Sequence, residues 1–388
     1  MRFCFLASRD WAHPEAAGGD FYLSNLARSL ANRGHKVIYF SASPGRNPGL
    51  QNPEGVEVRR LKPGLFYPIR LVQQLIRVRQ SVDLTVEEIF GGKKIPTLAY
   101  LYSGSRLIAM WYQSHSRIFA EQYPRGLATL LSFVERVLAR LYRRCPVATL
   151  SEKSASELAR IGLDKLKIGI VPSAAIIDNP QTDELPHFED REDIMIFIGK
   201  IRKYKRVDHA LFALKKLLTT NKSCRLVVAG SVARDDLDYL TSLRQQARLL
   251  GVEDSVDFRI YPGAIPPAEK AELLKRCKLL LQPSPVEGFS MTTVEANACG
   301  TPVVVSDGVP RDAVRHGENG LVYPFGDTEI MSKLCASLME DKATWEKLST
   351  RGLEMAGRFS WNASTDAFEQ FIDSQGLGKD ISDPNSSR

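Results

Sequence analysis

The chain has 388 residues, 44% of them hydrophobic and 25% charged, which excludes a disordered or low-complexity protein and suits two cores rather than one. No apolar run reaches the roughly eighteen residues of a membrane-spanning helix. The net charge of +7 is uneven: residues 1–180 hold 25 Lys+Arg against 14 Asp+Glu, the remainder 27 against 31. A basic first half predicts an anionic partner, with nucleic acid, a phosphorylated substrate and an anionic membrane all open at this point.

The first strand is read at RFCFLAS; its short apolar run soon reaches charge, which argues against a secretory signal. AAGGDFY follows, with Gly18 and Gly19 opening the first long helix. A helix start after a strand is an anion or sugar site, but the spacing is not GxGxxG, so a dinucleotide reading is weak and a plain structural turn stays open. DFYLSNLARSLANRG has helical periodicity and ends at Gly34 as a C-cap. Further strands are expected at HKVIYFSA, DLTVEEI, RLIAMWYQ, VATLS and IGIVPSA. Glu87 and Glu88 at a strand end are candidates for acceptor hydroxyls, with a structural role as the alternative. His115 follows a strand, where one histidine is more often packing than chemistry.

Two segments, PIRLVQQLIRVRQ (68–80) and GLATLLSFVERVLARLYRR (126–144), are basic and amphipathic. The second sets Leu127, Leu130, Leu131, Val134, Leu138 and Leu141 on one stripe, flanked by Arg136, Arg140, Arg143 and Arg144. Such segments lie on anionic lipid, although packed surface helices look much the same. The six scattered cysteines form no CxxC, which fits a reduced, cytoplasmic setting and buried thiols rather than a zinc site.

Residues 179–192 are acidic, Pro-bearing and poor in apolar residues, a linker signal. Beyond them, strands IMIFIG, RLVVAG, VDFRIY, LLLQPS, TPVVVS and GLVYP alternate with helical segments such as VDHALFALKKLL and PAEKAELLKRC. Regular alternation with apolar strands implies parallel sheets covered on both faces. The expected fold class is α/β, two doubly wound Rossmann-like domains facing a central cleft. The domains are read at 1–178 and 193–358, with a C-terminal helix at 359–375 packing back on the first domain and a disordered tail at 376–388.

The stretch PVEGFSMTTVEANACGTPVVVS carries the chemistry. A strand, a turn and a helix start offer free N–H groups for an anion, plausibly a diphosphate. Gly288 lets backbone approach, Ser290, Thr292 and Thr293 add hydroxyls, and the run Gly288, Phe289, Ser290, Met291 and Thr292 is the candidate nucleotide-binding segment. Glu287 and Glu295 stand eight positions apart, a rise of about 12 Å if helical. That is of the order of the span from a sugar ring to a ribose across a diphosphate, so each carboxylate can hold hydroxyls at one end of a nucleotide sugar. In GKIRKYKR, Lys200 and Lys205 are the candidate cations for the negative charge of a departing diphosphate, since no DxD-like metal pair is evident.

The block PSPVEGFSMTTVEANACGTPVVVSDGVPRDAVRHGENGLVYPFGD resembles glycosyltransferase family 4, which has the GT-B fold. The resemblance extends through FIGKIRKYKRVDHALFAL, RLVVAGS and AAGGDFYLSNLARSLANRGHKV, over roughly residues 1–375. It implies a retaining, metal-independent transfer from a UDP- or GDP-sugar bound by the second domain to an acceptor bound by the first. The acceptor expected is a glycan or lipid-linked molecule of cell-surface glycan biosynthesis. It also implies that Glu287 contacts the donor sugar, Glu295 the ribose, Lys200 and Lys205 the leaving group, and that Gly18–Gly19 and His115 lie near the donor. Backbone near Arg259–Tyr261 is expected at the base.

Three departures from the family pattern stand out. Lys200 occupies an arginine position and loses its bidentate fork, with Arg202 and Arg206 as candidates to compensate. Ser173 and Ala174 replace a glycine turn at the expected hinge, and Arg311 stands where glutamate is common. The expected partners are thus a nucleotide sugar, the acceptor and an anionic membrane surface on the cytoplasmic side, with no permanently bound cofactor, no metal and no nucleic acid. The rivals are a GT-B sugar-nucleotide epimerase or hydrolase, and a catalytically silent nucleotide- or carbohydrate-binding protein.

Overall fold

The computed structural model describes residues 1–43, 55–89, 97–101, 106–176 and 185–378. The expected tail lies outside the described residues from 379 onward, and so does the expected linker before 185. In chain order the elements are β1 (Arg2–Leu6), α1 (Gly18–Asn32), β2 (Lys36–Ala42), β3 (Val56–Leu61), α2 (Tyr67–Val78), β4 (Leu84–Glu88), β5 (Arg106–Met110), α3 (Ser116–Gln122), α4 (Arg125–Leu141), β6 (Val147–Thr149), α5 (Glu152–Ile161), β7 (Ile168–Ile170), β8 (Glu192–Ile198), α6 (Val207–Thr220), β9 (Arg225–Ser231), α7 (Leu237–Leu250), β10 (Val256–Tyr261), α8 (Pro267–Arg276), β11 (Cys277–Gln282), α9 (Met291–Ala298), β12 (Val303–Ser306), β13 (Leu321–Tyr323), α10 (Thr328–Glu340), α11 (Lys342–Ala356) and α12 (Trp361–Ser374).

Contacts divide the chain into two units: Met1–Ser114 with Glu135–Pro172 and Trp361–Arg388, and His115–Val134 with Ser173–Ser360. One break falls after Pro172, and α3 with the start of α4 goes with the second unit. Ser173 and Ala174, at the break, are both fully buried.

The first unit holds a parallel sheet in the order β3-β2-β1-β4-β5-β6-β7. Its apolar strands are buried on both faces, as crossover helices require; Leu6, Phe40, Leu71, Leu75, Trp111 and Tyr142 belong to one core. The last helix, α12, belongs to this unit. Arg33 meets Asp366 and Glu369, each at 2.6 Å. Gly169 of β7 leaves room for Phe371, whose ring a Cβ would meet at 2.2 Å.

The second unit holds a parallel sheet in the order β10-β9-β8-β11-β12-β13. Every residue of β11 and β12 is buried. Arg191, at the end of the expected linker, is a core residue. Its guanidinium donates to the carbonyls of Leu274, Cys277 and Cys299 at 2.8–3.1 Å and stacks over Trp345. In each sheet the strand order reverses beside the first strand, between β1 and β4 and between β8 and β11. Ligands of doubly wound sheets sit beyond the carboxyl ends of strands at such a switch point.

Candidate nucleotide-sugar site

Both strands at the second switch point end in charged turns. From β8 the chain passes through Gly199 and Lys200 into a 3-10 turn at Lys203–Lys205. This stretch stays paired with β9: the Gly199 N–H donates to the Ala229 carbonyl and the Ile201 N–H to Ser231, both at 3.0 Å. Gly230 makes that approach possible, because a Cβ there would lie 1.7 Å from the Gly199 oxygen. Lys200 is half-buried on this turn. The two arginines named as candidates to compensate for it each meet an aspartate. Arg202 bonds Asp236 and Arg206 bonds Asp208, each at 3.0 Å.

From β11 the chain enters the turn that carries Glu287. Three hydrogen bonds fix it: the Ser306 hydroxyl to the Ser284 carbonyl, the Gly308 N–H to Ser306 Oγ at 3.0 Å, and the Glu287 N–H to the Gly308 carbonyl at 3.2 Å. Lys205 Nζ then donates to Glu287 Oε1 at 2.5 Å, and Gln282 Nε2 donates to the same oxygen at 2.7 Å. Burial pulls the Lys205 ammonium down, but the adjacent Glu287 carboxylate outweighs it and the net pKa lies above its ordinary 10.5.

The helix α9 begins at Met291, so the rise of about 12 Å for eight helical residues does not apply; the chain turns at Ser290 first. Ser290 has a left-handed backbone, φ +74°, which a Cβ disfavours. Replacing it by glycine, Ser290→Gly, is expected to stabilise the fold by about 0.5–1 kcal/mol, read as a higher midpoint in urea. An unchanged or lower midpoint counts against strain at this position.

Two of the candidate ligand contacts also serve local packing. The Thr293 hydroxyl donates to the Ser290 carbonyl at 2.7 Å and so serves its own helix. The Phe289 ring is 2% exposed and packs edge-on against Phe359, which leaves only its backbone for a ligand. Gly288 is buried, whereas Ser290, Met291 and Thr292 are half-buried. Glu295, inside α9, is 1% exposed. Its Oε1 accepts from Lys270 Nζ of α8 at 2.6 Å and from the Ile176 N–H at 3.4 Å.

α3 joins these turns within the same unit. It packs against the 203–205 turn, Arg206 faces Glu121 at 3.6 Å, and Arg117 donates to the Pro285 carbonyl at 3.4 Å. His115 caps α3 and stacks its half-buried ring on Phe119. Glu287, Lys205 and the helix that follows His115 are therefore brought together. Arg117 and Lys270 went unnoticed in the sequence, where basic residues in helical segments carry no distinguishing signal. Arg311 lines a cavity of about 480 Å³ with Asp307, Arg315 and His316.

Gly18 and Gly19 lie in the first unit, at the start of α1. The Asp20 carboxylate accepts from the Ala17 N–H at 2.7 Å, so this helix start already carries an acid. Gly19 admits the Tyr112 ring, which a Cβ would meet at 2.7 Å. Glu87 is fully buried and accepts from Thr97, Ala99 and Tyr142; Glu88 accepts from Ser8 and Tyr112. Both carboxylates are thus buried and hydrogen-bonded within the first unit. Five of the six cysteines are buried and all are free.

Solved proteins share this architecture. The Anabaena protein HepE, in complex with UDP and glucose, superposes with a TM-score of 0.76 at 19% identity, over 96% of this chain and all of that one. Sucrose-phosphate synthase from Thermosynechococcus elongatus gives 0.76 at 16% identity, over 97% and 99%. The fold is the GT-B fold of glycosyltransferases. Residues 179–355 match the family model for glycosyl transferases group 1. The D-inositol 3-phosphate glycosyltransferase of Segniliparus rotundus is 32% identical over 93% of this chain and 86% of that one. That of Thermobifida fusca is 23% identical over 91% and 87%. The chain belongs to the group 1 glycosyltransferases, family 4, and is a glycosyltransferase.

Proposed function

We propose that the second unit binds a UDP- or GDP-sugar at the carboxyl ends of β8 and β11 and that the enzyme transfers the sugar with retention to a glycan or lipid-linked acceptor. The observation that carries this is the pair of lysine-bound glutamates at the switch point. Glu287 and Glu295 each engage a lysine through Oε1, at 2.5 and 2.6 Å, and among the described residues neither Oε2 takes a hydrogen bond. Carboxylate oxygens left over in this way suit sugar and ribose hydroxyls. Lys205 and Lys200 supply the positive charge that a departing diphosphate needs, in place of a metal ion. Ser290, Met291 and Thr292 at the start of α9 offer N–H groups to the phosphates, and His115 belongs to the donor side of the reaction. The acceptor falls to the first unit, whose basic balance fits an anionic molecule.

Thermal melts with UDP, GDP, ADP and their sugars test this reading. A ligand at a hundred times its Kd stabilises by about 2.7 kcal/mol, roughly 5–10 °C for a unit of this size. One base is expected to produce that shift, and Glu295→Ala to abolish it. No shift from any nucleotide, with folded protein confirmed, overturns the donor-site reading.

The membrane surface rests on α4. Leu127, Leu130, Phe133, Val134, Val137 and Leu141 are exposed, whereas Leu131 and Leu138, expected on the same stripe, are half-buried. Glu135, the single acid of α4, is fully buried, so the exposed face is apolar and arginine-rich. That combination matches an anionic bilayer, to which each arginine contributes about 1 kcal/mol. No described helix is long and apolar enough to cross a membrane. Vesicles with phosphatidylglycerol are expected to sediment the protein and pure phosphatidylcholine vesicles to leave it in solution. Leu130→Glu with Phe133→Glu should abolish sedimentation without lowering the melting point; equal binding to both vesicles removes the electrostatic reading.

A further inference from the structure

The Lys270–Glu295 pair asks for an explanation. Glu295 is 1% exposed and the Lys270 side chain 13%. A buried ion pair adds little stability over an apolar pair of the same volume, because desolvation offsets the attraction. Leucine and methionine in these places would hold α8 to α9 as well, so stability alone does not account for the charges. The geometry offers another reason. The Lys270 ammonium and the Ile176 N–H both reach Oε1, and among the described residues no hydrogen bond reaches Oε2.

We infer that Lys270 is a positioning residue of the nucleotide site: by holding Oε1 of Glu295 it orients Oε2 toward a ribose hydroxyl pair. This rests on the proposed reading of Glu295 as the ribose contact. Three features support it. Lys270 lies on α8, a different element from the carboxylate it holds, so the pair locks the side-chain rotation of Glu295 rather than its helix. The ammonium neutralises a carboxylate that would otherwise repel a bound diphosphate. The same arrangement recurs at Glu287, where Lys205 and Gln282 hold Oε1 and no hydrogen bond reaches Oε2.

The experiment compares Kd for UDP, GDP and ADP with those of their 2′-deoxy forms by calorimetric titration. A ratio of two constants measured on one sample does not depend on how much of that sample is folded. For the nucleotide that binds, the intact protein should prefer the ribo form by about ten-fold or more, the worth of a hydrogen bond to a charged group. Lys270→Met should bring that ratio close to one, and Lys270→Arg should restore most of it. The double variant Lys270→Met with Glu295→Gln, which buries no unpaired charge, should also give a ratio near one. A Lys270→Met protein that binds both forms more weakly yet keeps the preference overturns the positioning role and leaves a structural pair. An intact protein with no ribo preference instead overturns the ribose reading of Glu295 itself.

Discussion

On the proposed donor site, Lys205→Ala is expected to lower the rate of nucleotide release from the donor sugar by about two to three orders of magnitude, the effect of removing one preorganised donor from a developing anion. The reason lies in charge and position. As the glycosidic bond breaks, a diphosphate gains negative charge, and Lys205 is an ammonium already desolvated at the end of β8. Its side chain is 14% exposed, so its field is weakly screened. The loss should fall on kcat more than on KM, because the interaction strengthens as charge develops. Lys205→Arg keeps the charge and should recover part of the rate. A rate within three-fold of the intact enzyme would reduce Lys205 to a partner of Glu287.

The pH dependence of this pair follows from the direction of the shift. The folded pKa of Lys205 is raised above 10.5. Its contribution to stability is therefore complete below about 10.5 and is lost as pH rises through the folded value. Between pH 6 and 9 this ammonium stays charged, so any step in rate or melting point over that range belongs to another group.

Gly230→Ala is the second large expectation, and it is structural. The new Cβ would stand 1.7 Å from the Gly199 oxygen and 2.8 Å from its carbonyl carbon. Both are backbone atoms, so no flexible side chain can swing aside. The Gly199–Ile201 stretch must move, and its two hydrogen bonds to β9, both 3.0 Å, weaken with it. Overpacking and lost hydrogen bonds together predict about 2–4 kcal/mol, roughly 5–15 °C in melting temperature. Lys200 moves with the turn, so nucleotide affinity should fall too. Gly126→Ala is the control, since a Cβ there meets nothing within 4 Å; it should melt within about 1 °C of the parent. A Gly230→Ala protein that melts like the parent would show that the two strands end further apart.

Much of the fold was legible because its code is local. Strands of a parallel sheet are buried on both faces, so β8, β11 and β12 read as unbroken apolar runs. β3, with Glu57, Arg59 and Arg60 in six residues, escaped notice because it is an edge strand, paired only with β2. The glutamate pair was legible for a similar reason: strand, turn and helix start lie within one short stretch of chain.

What the sequence determined by itself was the order of the elements, the parallel architecture and the segment carrying Glu287 and Glu295, all set by burial patterns and turn residues within a few positions. What only tertiary structure decided was which charged groups meet. Arg202, a candidate for the leaving group, meets Asp236, 34 residues along the chain. Lys270 meets Glu295, 25 residues along the chain, only because α8 packs on α9. The apolar residues of α4 separated into buried and exposed faces only once the helix had docked. The physical reason is common to all three: periodicity follows from one element's own geometry, whereas an ion pair, or the face a helix buries, depends on where a second element lies.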